Sequence, residues 1–106
     1  MDLRRGLARS LRLVRKSRGL AQDQLSDVSG RTYLSEIERG IKNPTLEKLD
    51  ELAKAMNVHP LTILAIAYLP NLREQELDGL QNRVGKEAKA LLAKADVVWP
   101  KKARSR

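Results

Sequence analysis

Punctuation limits this chain more than any other feature. Gly19, Gly30, Gly40, Asn43-Pro44, Asn57, Pro60 and Pro70 interrupt an apolar pattern of helical period, so the first 70 residues have room only for short helices and tight turns. Leu3, Leu7, Leu11 and Val14 recur at helical spacing with Arg4, Arg5, Arg9, Arg12, Arg15 and Lys16 between them, which predicts an amphipathic first helix ended by Gly19. A second helix is expected from about Ala21 to Val28, with Leu25 and Val28 on one face and Asp23 complementing the dipole near its start. A third, Thr32 to Arg39, turns Leu34, Ile37 and then Ile41 inward and leaves Arg31, Thr32, Ser35, Glu36 and Arg39 outside. Thr45 caps a fourth helix whose apolar stripe is Leu46, Leu49, Leu52, Ala53 and Met56, and Asn57 takes the left-handed position after it. Pro60 opens a fifth that runs to Tyr68.

That fifth helix is apolar on nearly every side, with Thr62 its one ordinary surface residue, so both faces need cover. The cover comes from residues 72–95 or from a second copy of the chain. Leu72, Leu77, Leu80, Val84, Ala88, Leu91 and Ala95 share one helical side, which predicts a sixth helix. Gly79 and Gly85 each cost up to about 1 kcal/mol there relative to Ala and suggest a break or kink. The expected organisation is an all-α domain over residues 1–69, a helical extension over 70–98 that dimerises or covers the core, and a flexible basic tail over 99–106.

Composition excludes several function classes. With no cysteine there is no disulfide framework, thiolate metal site or redox sensing, which fits a reducing cytoplasm. The charged N-terminus lacks the pattern of a secretory signal, and the apolar stretch 61–69 is about half the roughly 20 residues needed to span a bilayer. A cytoplasmic protein without membrane contact is expected. The lone histidine, His59 beside Pro60, reads as a cap or packing residue; no metal cluster, phosphate-cradling loop or nucleophile–base arrangement is visible, so neither an enzyme nor a cofactor is expected.

The net charge of +8 is unevenly placed: residues 1–20 hold seven Arg or Lys against Asp2 alone, and the C-terminal end is basic too. Such clustering attracts a polyanion or serves solubility alone, and charge by itself does not choose between them.

The run from Gly19 to Val58 does choose. Its Gly-Leu before a helix starting at Gln22, its Leu25 and Gly30, the Tyr-Leu-Ser-Glu-Ile-Glu-Arg-Gly block from Tyr33 to Gly40, Asn43-Pro44-Thr45-Leu46 and the following Leu-Ala-Lys-Ala-Met resemble the phage repressor type of helix-turn-helix family, also called the Cro/repressor or xenobiotic-response-element type. The resemblance covers roughly residues 5–67. It implies a five-helix repressor-type domain whose second motif helix enters the major groove of double-stranded DNA, where base edges are distinguishable.

By that resemblance Arg31, Thr32, Tyr33 and Glu36 sit at base-reading positions: Arg31 toward a guanine, Thr32 and the Tyr33 ring toward a thymine methyl, Glu36 toward a cytosine. For Tyr33 the alternative is partial burial against the turn, and for Glu36 a solvated surface role. Gln22, Arg39, Lys42 and Asn43 match positions that hold phosphates, and Ser35 is placed with them; for Arg39, Lys42 and Asn43 the alternative is ordinary exposed polarity. Ser29 is read as a helix cap or a phosphate contact. Arg15 and Glu38 match an ion pair that joins the first helix to the third. A dimer contacting itself through Ile63, Ile66, Ala67 and Leu69 is expected. Two departures stand out. Ala21 replaces the usual Ser or Thr cap, and the turn is about two residues shorter than the family's between Gly30 and Arg31.

The function implied is a sequence-specific transcriptional regulator acting as a homodimer on a palindromic operator and nucleoid-associated when bound; repression by steric blocking of polymerase is the expected mode, with activation through a polymerase contact the alternative that no residue here distinguishes. Prophage repressor, restriction-modification controller and stand-alone regulator all fit. The rival is an antitoxin-type protein that binds a toxin through the C-terminal extension and autoregulates its promoter; nonspecific nucleic-acid binding through the basic ends is a third reading.

Overall fold

The computed structural model describes residues 2–100, and within that span the side chains of Ser29 and Arg31 lie outside the description. The described residues form helices and no strand. The chain divides into two units, one ending at Arg73 and the other beginning at Glu74.

In the first unit, α1 (Leu3–Ser17) starts where the Asp2 carboxylate accepts from the Arg4 and Arg5 amides. It stops where Leu20 N–H reaches back to the Arg15 carbonyl at 3.1 Å and Gly19 N–H to Lys16 at 3.0 Å, the paired bonds of a Schellman ending. The helix expected over 21–28 is instead two single turns, a 3-10 turn (Gln22–Leu25) and α2 (Ser26–Ser29). Two local competitors explain the break. The Ser26 hydroxyl donates to the Asp23 carbonyl at 2.7 Å, and Gln24 folds its side chain back to accept from Ala21 N–H at 2.7 Å, in place of the side-chain cap Ala21 lacks.

α3 (Arg31–Glu38), α4 (Leu46–Ala55) and α5 (Pro60–Ala67) complete this unit. Thr45 accepts from Lys48 N–H at the start of α4, and Asn57, at φ 59°, follows its end. His59 is the N-cap of α5, its Nδ1 accepting from Leu61 N–H at 3.0 Å. Leu7, Leu11 and Val14 of α1 meet Leu25, Leu34, Ile37, Leu49, Leu52, Ala53, Met56, Ile63 and Ala67 in one core, rimmed by Leu20, Val28, Tyr33, Val58 and Leu64. Three residues of the expected apolar faces are not in the core, the first being Leu3, exposed as the first residue of α1. Ile41 is 50% exposed because it follows the end of α3, and Leu46 is 75% exposed as the first residue of α4, one turn before the buried Leu49.

α1 packs chiefly on α5, and small residues let the two approach. A Cβ at Gly6 would overlap the Ala67 carbonyl oxygen, and one turn later the fully buried Ser10 donates its hydroxyl to the Ile63 carbonyl at 2.7 Å. No larger residue fits at position 6 without separating the helices.

In the second unit, α6 (Glu74–Leu92) runs unbroken through Gly79 and Gly85, where the sequence had suggested a break, and α7 (Ala95–Val98) is one further turn. Each glycine lowers helix propensity by about 1 kcal/mol, too little to stop a helix of 19 residues. The basic tail expected over 99–106 falls mostly on residues 101–106, outside the described residues. No described helix is long and apolar enough to cross a membrane.

Candidate nucleic-acid interface

A single residue separates α2 from α3. Gly30 N–H closes α2 on the Ser26 carbonyl at 2.7 Å, while its own carbonyl accepts from Leu34 N–H at 3.1 Å to open α3. Its φ of 78° with ψ 143° lies where only glycine is at ease, and a Cβ there would meet nothing within 4 Å, so the requirement is conformational rather than spatial. This is how the short turn noted in the sequence is accommodated.

The far end of α3 is held by charge. Glu38 is 4% exposed and Arg15 8%. Arg15 Nε donates to Glu38 Oε2 at 2.7 Å and Nη2 to Oε1 at 2.8 Å, a bidentate pair, and the remaining Nη1 donates to the Leu20 carbonyl at 2.7 Å. Gln22 Nε2 adds a third donor to Oε1 at 3.1 Å, and the Arg12 guanidinium stands 4.0 Å from it. Burial alone would push the Glu38 carboxyl up, but hydrogen bonds from Arg15 and Gln22 and the charges of Arg15 and Arg12 outweigh it and hold the group below the usual carboxylate range. The same bonds raise Arg15. The network ties α1, the start of the 3-10 turn and α3 into one rigid angle.

On the outer side of α3, Thr32 and Arg39 are exposed and Ser35 is half-buried. Arg39 Nε donates to the Ser35 carbonyl at 3.3 Å. Tyr33 is half-buried against the core, with Lys42 Nζ 5.9 Å from the ring centroid. Glu36 lies 3.4 Å from the same Lys42. Tyr33, Glu36 and Lys42 thus form one cluster. Asn43 is exposed. The Arg31 and Ser29 side chains, expected at a base edge and a phosphate, lie outside the described residues. Gln22 keeps one amide hydrogen and its oxygen beyond the bond to Glu38, but the helix N-terminus expected beside it is a single 3-10 turn, whose dipole is small.

The four residues expected at a dimer interface need correcting. Ile63 and Ala67 are 0% exposed and Leu69 5%, because α1 covers the inner face of α5; only Ile66 retains part of its surface. The large apolar side chains that do face outward here are Leu61 of α5 at 64% and Tyr68, just after its end, at 48%. A helix apolar all round gives no periodic signal of which face turns inward.

Sequence reasoning also missed what the basic first helix does. Arg18 donates to the Met56 and Asn57 carbonyls at the end of α4, Arg9 to the Leu69 and Pro70 carbonyls after α5, Arg12 to the Glu38 carbonyl ending α3, and Arg4 to Ile41. Lys48 does the same for α2 through Val28 at 2.6 Å. Cations at helix C-termini satisfy orphan carbonyls and complement the dipole. A signal was present: Arg9, Arg12, Arg15 and Arg18 recur every third residue, which winds them round half of α1, so that Arg9 meets the segment after α5, Arg12 and Arg15 meet Glu38 at the end of α3, and Arg18 meets the end of α4.

Comparison with known proteins agrees with this geometry. The helix-turn-helix family profile matches residues 11–63. The control protein C.SmaI of Serratia marcescens is 40% identical over 73 residues, 67% of this chain and 87% of its own length. The HTH-type transcriptional regulator y4dJ of Sinorhizobium fredii is 40% identical over 60 residues, covering 55% and 78%. The control protein C.BamHI of Bacillus amyloliquefaciens is 35% identical over 46 residues, covering 43% and 57%. No solved structure matches at the same stringency. With a buried three-way tie setting α3 against α1, a one-residue turn before it and these relatives, the chain belongs to the helix-turn-helix family of Cro/C1 type and is a DNA-binding transcriptional regulator.

Proposed function

We propose that the protein is a repressor that binds a roughly palindromic operator as a homodimer, laying α3 of each copy in successive major grooves and blocking polymerase sterically. The observation that carries this reading is the Arg15–Glu38–Gln22 tie, which fixes the angle of α3 while leaving Thr32, Arg39 and the Tyr33–Glu36–Lys42 cluster on its outer side. Arg31 and Thr32 are the principal base readers, Arg31 by two hydrogen bonds to guanine. Tyr33 and Glu36 act together through Lys42. Gln22, Ser29, Ser35, Arg39, Lys42 and Asn43 contact the backbone and set register. Among the kinds of regulator that the sequence allowed, a controller is favoured by the two relatives named control proteins.

Selection of bound duplexes from a random library at near-physiological salt, with light scattering on the complex, tests it. The expected product is an inverted repeat whose half-sites lie about 34 Å apart or a multiple of that, bound by two copies. No enrichment over random DNA rejects it in favour of a protein-partner or nonspecific role.

A further inference from the structure

α6 lies beyond the residues matched by the family profile, and not one of its residues is buried. Yet it is patterned for burial. At 3.6 residues per turn, Leu77, Val84, Ala88 and Leu91 fall within an arc of about 60°, and every charged residue of α6 lies outside that arc. Val84 is 52% exposed and Leu91 71%; just beyond, Val97, Val98 and Trp99 are 85%, 63% and 62% exposed. Helices in proteins owe most of their stability to packing such a face.

The charge on α6 is segregated along its length. Residues 74–82 carry Glu74, Glu76 and Asp78 and no cation, whereas residues 83–94 carry Arg83, Lys86, Lys89 and Lys94 against Glu87 alone. This order suits the helix's own dipole, and it also makes the helix complementary to a reversed copy of itself. Side by side and parallel, two such helices set acid against acid and base against base. Antiparallel, each acidic half lies beside a basic half and the two dipoles oppose. Leu77, Val84 and Leu91 recur every seven residues, the spacing that keeps a seam facing a partner helix, and Ala88 on the same line allows close approach.

We infer that α6 is a self-association element that pairs antiparallel with α6 of a second copy through Leu77, Val84, Ala88 and Leu91. Such a pair has a two-fold axis across its middle, so the same patch serves both copies. The inference deepens the dimer reading above and rests on it.

Sedimentation of the full chain without DNA gives the first readout. The wild type is expected at twice 11.9 kDa, and the Val84→Lys/Leu91→Lys chain, changed at two exposed positions, at 11.9 kDa with its thermal unfolding retained. Orientation is read by crosslinking, since the chain has no cysteine of its own. Leu77→Cys and Leu91→Cys chains, oxidised as a mixture, should form a disulfide-linked heterodimer, and neither should link to itself. A monomeric wild type, a dimer that survives Val84→Lys/Leu91→Lys but not Leu61→Asp/Tyr68→Asp, or self-linking of the Leu77→Cys chain each overturns the proposal. None of these touches duplex recognition, which stands or falls by duplex selection, although a monomeric wild type also counts against the homodimer proposed above; conversely, a wild-type dimer that selects no duplex would sink duplex recognition and leave the α6 pair intact.

Discussion

Glu38→Leu removes the carboxylate that three donors share and leaves the Arg15 guanidinium, 8% exposed, with the Leu20 carbonyl as its remaining partner among the bonds described above. Breaking one side of a buried pair costs about 3–5 kcal/mol, because a desolvated charge is stranded. The Leu20 bond at 2.7 Å persists, which places the expected loss at the lower end, about 3 kcal/mol. For a small domain whose stability is about 5–15 kcal/mol this is a large fraction. With a urea slope of about 1–3 kcal/mol per molar, the midpoint should fall by about 1–3 M. Arg15→Met should cost a similar amount by stranding Glu38, though Gln22 and Arg12 remain beside it. The double variant Arg15→Met/Glu38→Leu should recover most of both losses, since an apolar pair of similar volume replaces a buried ion pair at little net cost. A single-variant loss under about 1 kcal/mol, or a double variant as unstable as the two singles added, would refute the reasoning.

The same pair has a pH signature. Glu38 is held below the usual carboxylate range, so it binds its proton less tightly folded than unfolded. The unfolded chain therefore takes up more protons as pH falls, and stability rises with pH through that window. The contribution is fully present above the unfolded carboxyl value of about 4.3 and lost as pH drops through the folded value. Glu38→Leu should flatten this part of the acid limb.

The remaining expectations concern the turn and the cations. Gly30→Ala should lower stability by about 1–3 kcal/mol purely through its φ of 78°, as read by thermal or urea unfolding; a neutral effect would mean the turn relaxes. Arg31→Ala should cost about 1–3 kcal/mol and relax preference at one base pair, whereas equal weakening on every duplex would remove it from base reading. Lys42→Ala should weaken all duplexes and lower the salt slope by about one, while Arg18→Ala, whose guanidinium serves the end of α4, should lower the melting temperature and leave the salt slope unchanged. Interchanged outcomes for these two would reverse their assignments.

Much of the fold is written in local signals. The stops at Gly19, Gly30, Gly40 and Asn57, the Thr45 cap and the Pro60 start depend on a few adjacent residues, and each appears where its chemistry places it. The helix-turn-helix pattern from Gly19 to Val58 is legible for the same reason, since spacing along the chain is spacing along the motif. The exposed ends of the apolar pattern, Ile41 and Leu46, were misplaced because periodicity assumes a helix that in fact stops before one and starts at the other.

What the sequence alone determined is therefore most of the helical segments, the stops between them and which family's motif they spell, though neither the split of residues 21–28 into two single turns nor the unbroken run of α6 through its glycines. The tertiary structure decided which face of α5 is inward, because α1 with its Gly6 and Ser10 takes the side bearing Ile63 and Ala67, and a helix apolar all round does not announce that choice. It also decided what the basic first helix is for. Charge is visible in a sequence but its partner is not, and Arg4, Arg9, Arg12, Arg15 and Arg18 all reach carbonyls or a carboxylate brought near only by folding. Local rules place the donors; only packing brings the acceptors to them.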